Sequence, residues 1–167
     1  MYVYVIRHAI AVEHGTPGFA EDDRPLTNQG RRKMRRITRA LDRLGVRVSD
    51  IWTSPLPRAR QTADILAEEL KGSITVRECD PLRPGGDYRT LIRELAGLDD
   101  KQSVALVGHE PDLGEMTSWL LTGRKTGFIR FKKGGVACLD VEGVDPPSGN
   151  RLLWLLTPKQ MLRSDDE

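Results

Sequence analysis

Short apolar runs alternate along the chain with stretches whose apolar residues recur every three or four positions. The opening MYVYVIRHAIA places Val3, Val5 and Ile6 in a β-branched and aromatic run, which predicts a strand over residues 2–6. The polar loop EHGTPGFAEDDRP follows. Met34, Ile37, Leu41 and Leu44 then fall at helical spacing, predicting a helix over 28–44 with Thr27 as its N-cap and Gly45 closing it. The same periods give a strand at 50–53 and a helix at 58–70 with Ala59, Ile65, Leu66 and Leu70 inward. They also give a strand at 73–78, a helix at 87–96, a wholly apolar strand at 103–108 and a helix at 111–121. Two late strands, 135–141 and 152–156, are joined by GVDPPSGN with no helix between them, so they are expected to be antiparallel or at a sheet edge.

Strand–helix alternation with continuous apolar strands argues an α/β fold with a mainly parallel sheet and helices on both faces. With 167 residues the chain suits one domain spanning 1–167, with the acidic tail 164–167 frayed. Apolar residues make up 38% and charged residues 30%, which excludes intrinsic disorder, and the short apolar runs exclude a membrane span. A strand that begins at residue 2 leaves no space for a signal peptide, so the expected location is cytoplasmic. Cys79 and Cys138 are far apart, make no metal spacing, and are expected to be buried thiols.

A formal net charge of +2 does not call for a polyanionic partner. The one dense basic stretch, GRRKMRRITRALDRLG, puts its arginines on the faces that the apolar residues leave, and no aromatic residue interleaves them. It reads as a solvated helix face rather than a nucleic-acid surface.

Ligands of open α/β sheets bind beyond the carboxyl ends of the strands, so those ends carry the candidate chemistry. The first strand ends in Arg7-His8. The second runs into SPLPRARQTA, with Ser54 in the loop and Arg58 in the first turn of a helix. The strand at 103–108 ends in VGHEP, with His109 next and Pro111 opening a helix, and Arg24 precedes the capped helix in DRPLTNQG. Arginine forks match phosphate oxygens, and helix N-termini add backbone donors. An imidazole among these cations is kept neutral and could attack phosphorus to give a phosphohistidine. Taken singly, His14 and Arg60 read as surface residues, and His109 as a structural histidine; the combination at successive strand ends carries the phosphate-site reading.

The stretches VIRHAIA, RPLTNQG, TSPLPRARQTA and VALVGHEP, in this order, resemble the histidine phosphatase superfamily, the phosphoglycerate-mutase-like group, from residue 1 to about residue 120. The small size, the RHA-x-A start and the DRPLT segment are similar to its SixA-type phosphohistidine phosphatases. The resemblance implies a three-layer α/β/α sandwich and a catalytic set of Arg7, His8, Arg58 and His109. In that set His8 is the nucleophile, Arg7 and Arg58 are phosphate clamps, His109 bonds the phosphoryl oxygens, and Arg24 is an additional phosphate-side arginine. Ala9 stands where the superfamily usually has Gly, a mild change found in SixA-type members. The general acid stays open among Glu78, Asp80 and Glu110, which occupy the regions where members place a Glu or Asp.

The implied activity is metal-independent dephosphorylation of a histidine-phosphorylated protein, with no cofactor, a phosphate or similar anion in the site, and neither nucleic acid nor membrane as partner. Two alternatives differ in substrate or class: a phosphomonoesterase or mutase acting on a small molecule, and a module that binds phosphorylated ligands without turnover. A metallohydrolase lacks the necessary carboxylate clusters at the strand ends.

Overall fold

The computed structural model describes residues 1–99 and 102–163, so the acidic tail 164–167 lies outside the described residues. Strand β1 (Tyr2–Arg7) buries four successive residues, Val3 to Ile6, because both of its faces are covered. It pairs in parallel with β4 (Ser103–Gly108), which pairs with β2 (Asp50–Thr53), which in turn pairs with β3 (Thr75–Glu78). On the other side β5 (Val136–Asp140) runs antiparallel to β1, and β8 (Arg151–Leu156) runs antiparallel to β5 at the sheet edge. The order β3-β2-β4-β1-β5-β8 thus holds four parallel strands and the two late strands in the expected antiparallel edge arrangement.

Alternate residues of the central strands feed two separate cores. Tyr4, Ile6, Ile51, Ala105 and Val107 pack with Met34, Ile37 and Leu41 of α1 (Asn28–Arg43) and with Ala63 and Leu66 of α2 (Pro57–Glu69). Val3, Val5, Trp52, Val104 and Leu106 pack with Leu91, Ile92 and Leu95 of α3 (Tyr88–Ala96) and with Leu113, Met116 and Leu120 of α4 (Asp112–Thr122). The result is a three-layer α/β/α sandwich. Truncating a fully buried Leu such as Leu41 or Leu106 costs about 2–5 kcal/mol in such a core.

Most differences from the sequence reading are local. Thr27 caps α1 as expected, its side-chain oxygen accepting from the Gly30 N–H at 2.9 Å. Leu44, counted on the apolar face, is 59% exposed, because α1 ends at Arg43 and Leu44 is already the C-cap. A turn of 3-10 helix at Asp80–Leu82 follows β3. The loop GVDPPSGN holds a small hairpin, β6 (Gly143–Val144) with β7 (Pro147–Ser148). A short helix, α5 (Pro158–Arg163), closes the described chain and buries Met161. Its start is a capping box in which the Gln160 side chain accepts from the Thr157 N–H at 2.8 Å. Cys79 and Cys138 are buried free thiols, as expected, with their pKa values pushed up to about 11 mainly by burial. No helix among the described residues is long and apolar enough to cross a membrane.

Candidate active site

β1, β4 and β2 lie side by side and point the same way, with Arg7 opposite Gly108 and Thr53 opposite Val107. The next residue of each strand, His8, His109 and Ser54, therefore emerges in a row at the carboxyl edge. The ladder continues one step beyond the strands and holds this row in place. His8 donates its backbone N–H to Gly108 at 3.1 Å, and Ser54 donates to Val107 at 2.9 Å. Thr62 of α2 ties in the neighbouring elements, accepting from the Ala9 N–H at 3.1 Å and donating to the Arg58 carbonyl at 2.7 Å.

His8 is buried, and its Nδ1 lies 2.8 Å from the Ala9 carbonyl oxygen. A carbonyl only accepts, so Nδ1 carries the ring hydrogen and Nε2 keeps its lone pair. Burial, reinforced by Arg58, Arg7 and Lys133, pulls the His8 pKa down to about 3 and outweighs the carbonyl contact that favours the charged form. His8 is thus neutral at neutral pH.

The His109 ring lies 5.1 Å from that of His8, tilted by 54°. Its Nε2 is 2.9 Å from Ser54 Oγ. Ser54 Oγ accepts from the Leu56 N–H at 3.3 Å, and among the described residues its own hydrogen has no acceptor but His109 Nε2. That leaves the ring hydrogen of His109 on Nδ1. Burial, then the neighbouring His8, Arg58, Arg7 and Arg24, lowers the His109 pKa to about 3 as well.

Two guanidinium groups stand beside the histidines. Arg7 donates from Nη1 to the Phe131 carbonyl at 2.8 Å, and Arg58 donates from Nη1 to the Glu21 carbonyl at 3.0 Å. The Nε atoms of both are buried and have no hydrogen-bond partner among the described residues. Buried charged donors left unpaired are costly, and an anion next to them relieves that cost. Burial lowers the pKa of both groups, which as guanidiniums remain charged.

Arg24 reaches the same cavity but is already engaged. Its Nε and Nη2 fork the Glu21 carboxylate, and its Nη1 donates to the Val12 carbonyl at 2.5 Å. Glu21 also bonds His14 Nδ1 at 2.5 Å and comes within 3.9 Å of Arg58 Nη2. Hydrogen bonds from Arg24 and His14 hold its carboxyl at about pKa 2. His14 is therefore an exposed residue with a partner at the cavity mouth, rather than a bystander on the surface.

Arg7, His8, Arg24, Arg58, His109 and Glu110 line one cavity of about 460 Å³ together with Glu13, Glu21 and Lys133. Of the three candidate acids, Glu110 is in it. Its Oε1 accepts from the Phe131 N–H at 3.1 Å, and burial raises its pKa. Glu78 and Asp80 are exposed outside the cavity, paired with Arg60 at 3.2 Å and Arg83 at 3.0 Å. Sequence reasoning missed Glu21, Lys133 and the positioning roles of Ser54 and Thr62. The TS and QTA of TSPLPRARQTA were the visible signal for Ser54 and Thr62. Among the described residues no group of three or more His, Cys, Asp or Glu is placed to hold a metal.

Comparison with known proteins agrees with this geometry. The family model of the histidine phosphatase superfamily (branch 1) matches residues 3–84, a span that includes Arg7, His8, Arg24 and Arg58. An uncharacterized protein of Picosynechococcus is 36% identical over 97% of this chain and 99% of its own length. Among solved structures, the protein histidine phosphatase SixA complexed with tungstate superposes with a TM-score of 0.81 at 22% identity, covering 95% of this chain and 98% of that one. The Agrobacterium tumefaciens protein assigned as a phosphohistidine phosphatase SixA gives 0.76 at 26% identity, covering 94% and 97%. The chain belongs to the histidine phosphatase superfamily, on its SixA-type side, and is a phosphatase.

Proposed function

We propose that this phosphatase removes the phosphoryl group from phosphohistidine in a protein, without a metal, through a covalent intermediate on His8. The observation that carries this reading is the His8 ring. It is neutral, its hydrogen is fixed on Nδ1 by the Ala9 carbonyl, and its Nε2 lone pair is left to attack beside Arg7, Arg58 and His109. In the first step that lone pair forms a bond to phosphorus while the bond to the substrate nitrogen breaks and its electron pair returns to the substrate imidazole. Arg7 and Arg58 neutralise the phosphoryl oxygens, with Arg24 at the mouth, and the Nδ1–H of His109 donates to one of them. In the second step water attacks phosphorus, its proton is lost, and His8 Nε2 departs with its electron pair to regenerate the free enzyme and inorganic phosphate.

Substrate choice rests on the leaving group. An alkoxide leaves poorly and needs a well-placed acid, whereas the imidazole of phosphohistidine leaves readily once its free nitrogen is protonated. Glu110 fits a proton carrier by its raised pKa, yet one of its oxygens is held by Phe131. A P–N bond demands less of such a group than a P–O bond. The likeness to proteins named as SixA phosphohistidine phosphatases supports the same substrate class.

Quenching the enzyme during turnover of a phosphohistidine peptide is expected to trap phosphate on His8 that is stable in alkali and lost in acid, with turnover unchanged by saturating chelator. Label on Ser54 or Cys79, or a chelator-induced loss restored by a divalent ion, would end this reading.

A further inference from the structure

Next to the catalytic cavity lies a second cleft of about 510 Å³, and the two share Arg7 and Glu110. Its outer wall is the segment 127–132, which forms neither helix nor regular strand and which the reaction as described does not use. Exposure alternates strictly here: Ile129 and Phe131 are buried, while Phe128, Arg130 and Lys132 face outward. This period-two alternation from 128 to 132 leaves the three on the outward side, an aromatic followed by two cations. The row is held firmly at its inner face. The Phe131 N–H donates to Glu110, and its carbonyl accepts from Arg7. At residue 114 of α4 a Cβ would come within 2.2 Å of the Ile129 carbonyl, so glycine there lets the wall pack against the helix.

Glu110 and Glu115 also line the cleft, and Glu110 feels the charge of Arg130, but the outer cations of the wall are in no ion pair among the described residues. From 123 to 135 the sequence GRKTGFIRFKKGG has five cations and no acid. Lys125 pairs with Glu115 at 2.7 Å, but among the described residues no carboxylate lies within 4 Å of Arg130, Lys132 or Lys133. Arg35 and Arg39 of α1 differ in this respect, being paired with Glu68 and Glu69. Phe128 is 63% exposed at the end of the cationic row.

We propose that this second cleft is the docking surface for the substrate protein, and that it selects an acidic segment flanking the phosphorylated residue. The inference rests on the reading of the site as acting on a phosphorylated protein. With the phosphoryl group between Arg7 and Arg58, the chain that carries it passes over Arg7 into the cleft. There carboxylates meet Arg130 and Lys132, and beyond the end of the cleft an apolar side chain covers Phe128. Unpaired cations at a rim chiefly speed encounter and discriminate between partners, so the effect belongs in kcat/KM and weakens with salt.

The test uses two short phosphohistidine peptides that differ only in their flanks, Asp and Glu in one and Lys in the other, with the full-length enzyme. The ratio of their kcat/KM values is read, so that any change in the chemical step common to both cancels. Wild type is expected to favour the acidic peptide by about tenfold or more at low salt, with the ratio falling as NaCl rises from about 50 to about 500 mM. Arg130→Glu/Lys132→Glu is expected to abolish or invert the preference, and Arg130→Gln/Lys132→Gln to give an intermediate ratio. In parallel, fluorescence anisotropy follows a labelled acidic peptide without phosphate, which reads the cleft whether or not phosphohistidine is turned over. It is expected to bind wild type in a salt-sensitive way and the Glu double variant several-fold more weakly. Absence of phosphohistidine turnover with this binding intact would remove the proposed reaction and leave the acidic docking surface standing. Equal ratios and equal anisotropy in wild type and variants would overturn the docking surface. So would a double variant that weakens only a sugar bisphosphate, which would give the cleft to a small molecule.

Discussion

Ser54 Oγ stands 2.9 Å from His109 Nε2, with both side chains buried and the two residues 55 positions apart in the chain. The pairing of β2 with β4 brings them together, and the contact orients the His109 ring and selects its tautomer. Ser54→Ala removes the donor and leaves the buried Nε2 without its protein partner. One buried hydrogen bond is worth about 1 kcal/mol, so kcat is expected to fall roughly five- to tenfold. The ring-nitrogen chemical shifts of His109 report the tautomer directly. They are expected to move from Nδ1–H toward a mixture in the alanine variant, and an unchanged tautomer would show that Ser54 does not govern the ring.

Both histidines also make stability depend on pH. Their folded-state pKa values are pulled from 6.5 to about 3, so between these values the unfolded chain binds more protons than the folded one. Stability is then full above about pH 6.5 and declines on acidification toward pH 3, by about 1.4 kcal/mol per pH unit at most for each histidine. His8→Asn and His109→Asn are each expected to flatten the fall in urea midpoint between pH 7 and pH 5 relative to wild type. Parallel curves for wild type and both variants would mean that the rings are not buried in neutral form.

Much of this was legible because it follows from periodicity and from strand ends. The parallel sheet came from apolar strands between helical patterns, and the row of His8, His109 and Ser54 needed only the rule that ligands sit at the carboxyl edge. What the sequence hid was the pairing of distant segments. Arg24 could be placed near phosphate, but Glu21, which forks it, sits in a Gly- and Pro-containing loop with no period to fix its position. Glu78, Asp80 and Glu110 looked equivalent as acids, because nothing in their local sequence shows that Arg60 and Arg83 hold the first two outside the cavity. The sequence reading missed α5, although Thr157-Pro158-Lys159-Gln160 is a capping box with proline at the first helical position.

The positions of those carboxylates separate them in activity. Glu78→Gln and Asp80→Asn change exposed ion pairs beyond the cavity and are expected to leave turnover of every substrate within about twofold. Glu110→Gln is expected to cost about 10²-fold on an alkyl or aryl phosphate ester, the lower end of general-acid contributions, and clearly less on a phosphohistidine peptide. Rates for the three variants on both substrate types check this. A larger loss on phosphohistidine than on the ester would place Glu110 in holding Arg7 and Phe131 rather than in proton transfer.

Glu21 and phosphate want the same cations. The Glu21 carboxylate sits on the fork of Arg24 and 3.9 Å from Arg58, at the mouth of the cavity that an anion must enter. Solvent screens a charge as exposed as that of Glu21, yet at this range it still competes with an incoming anion for the two guanidiniums. Glu21→Gln keeps an acceptor oxygen for Arg24 while removing the negative charge, so tungstate, a phosphate mimic, is expected to bind about fivefold more tightly. Arg58→Ala acts in the opposite direction, deleting a buried cationic donor set and weakening tungstate by roughly 1.5–3 kcal/mol. Arg58→Lys is expected to recover little of this, since a point charge does not reproduce the fork. Titrating tungstate by calorimetry against the three variants reads both signs in one experiment. Weaker binding in Glu21→Gln would mean that the carboxylate organises Arg24 for the anion instead of competing with it.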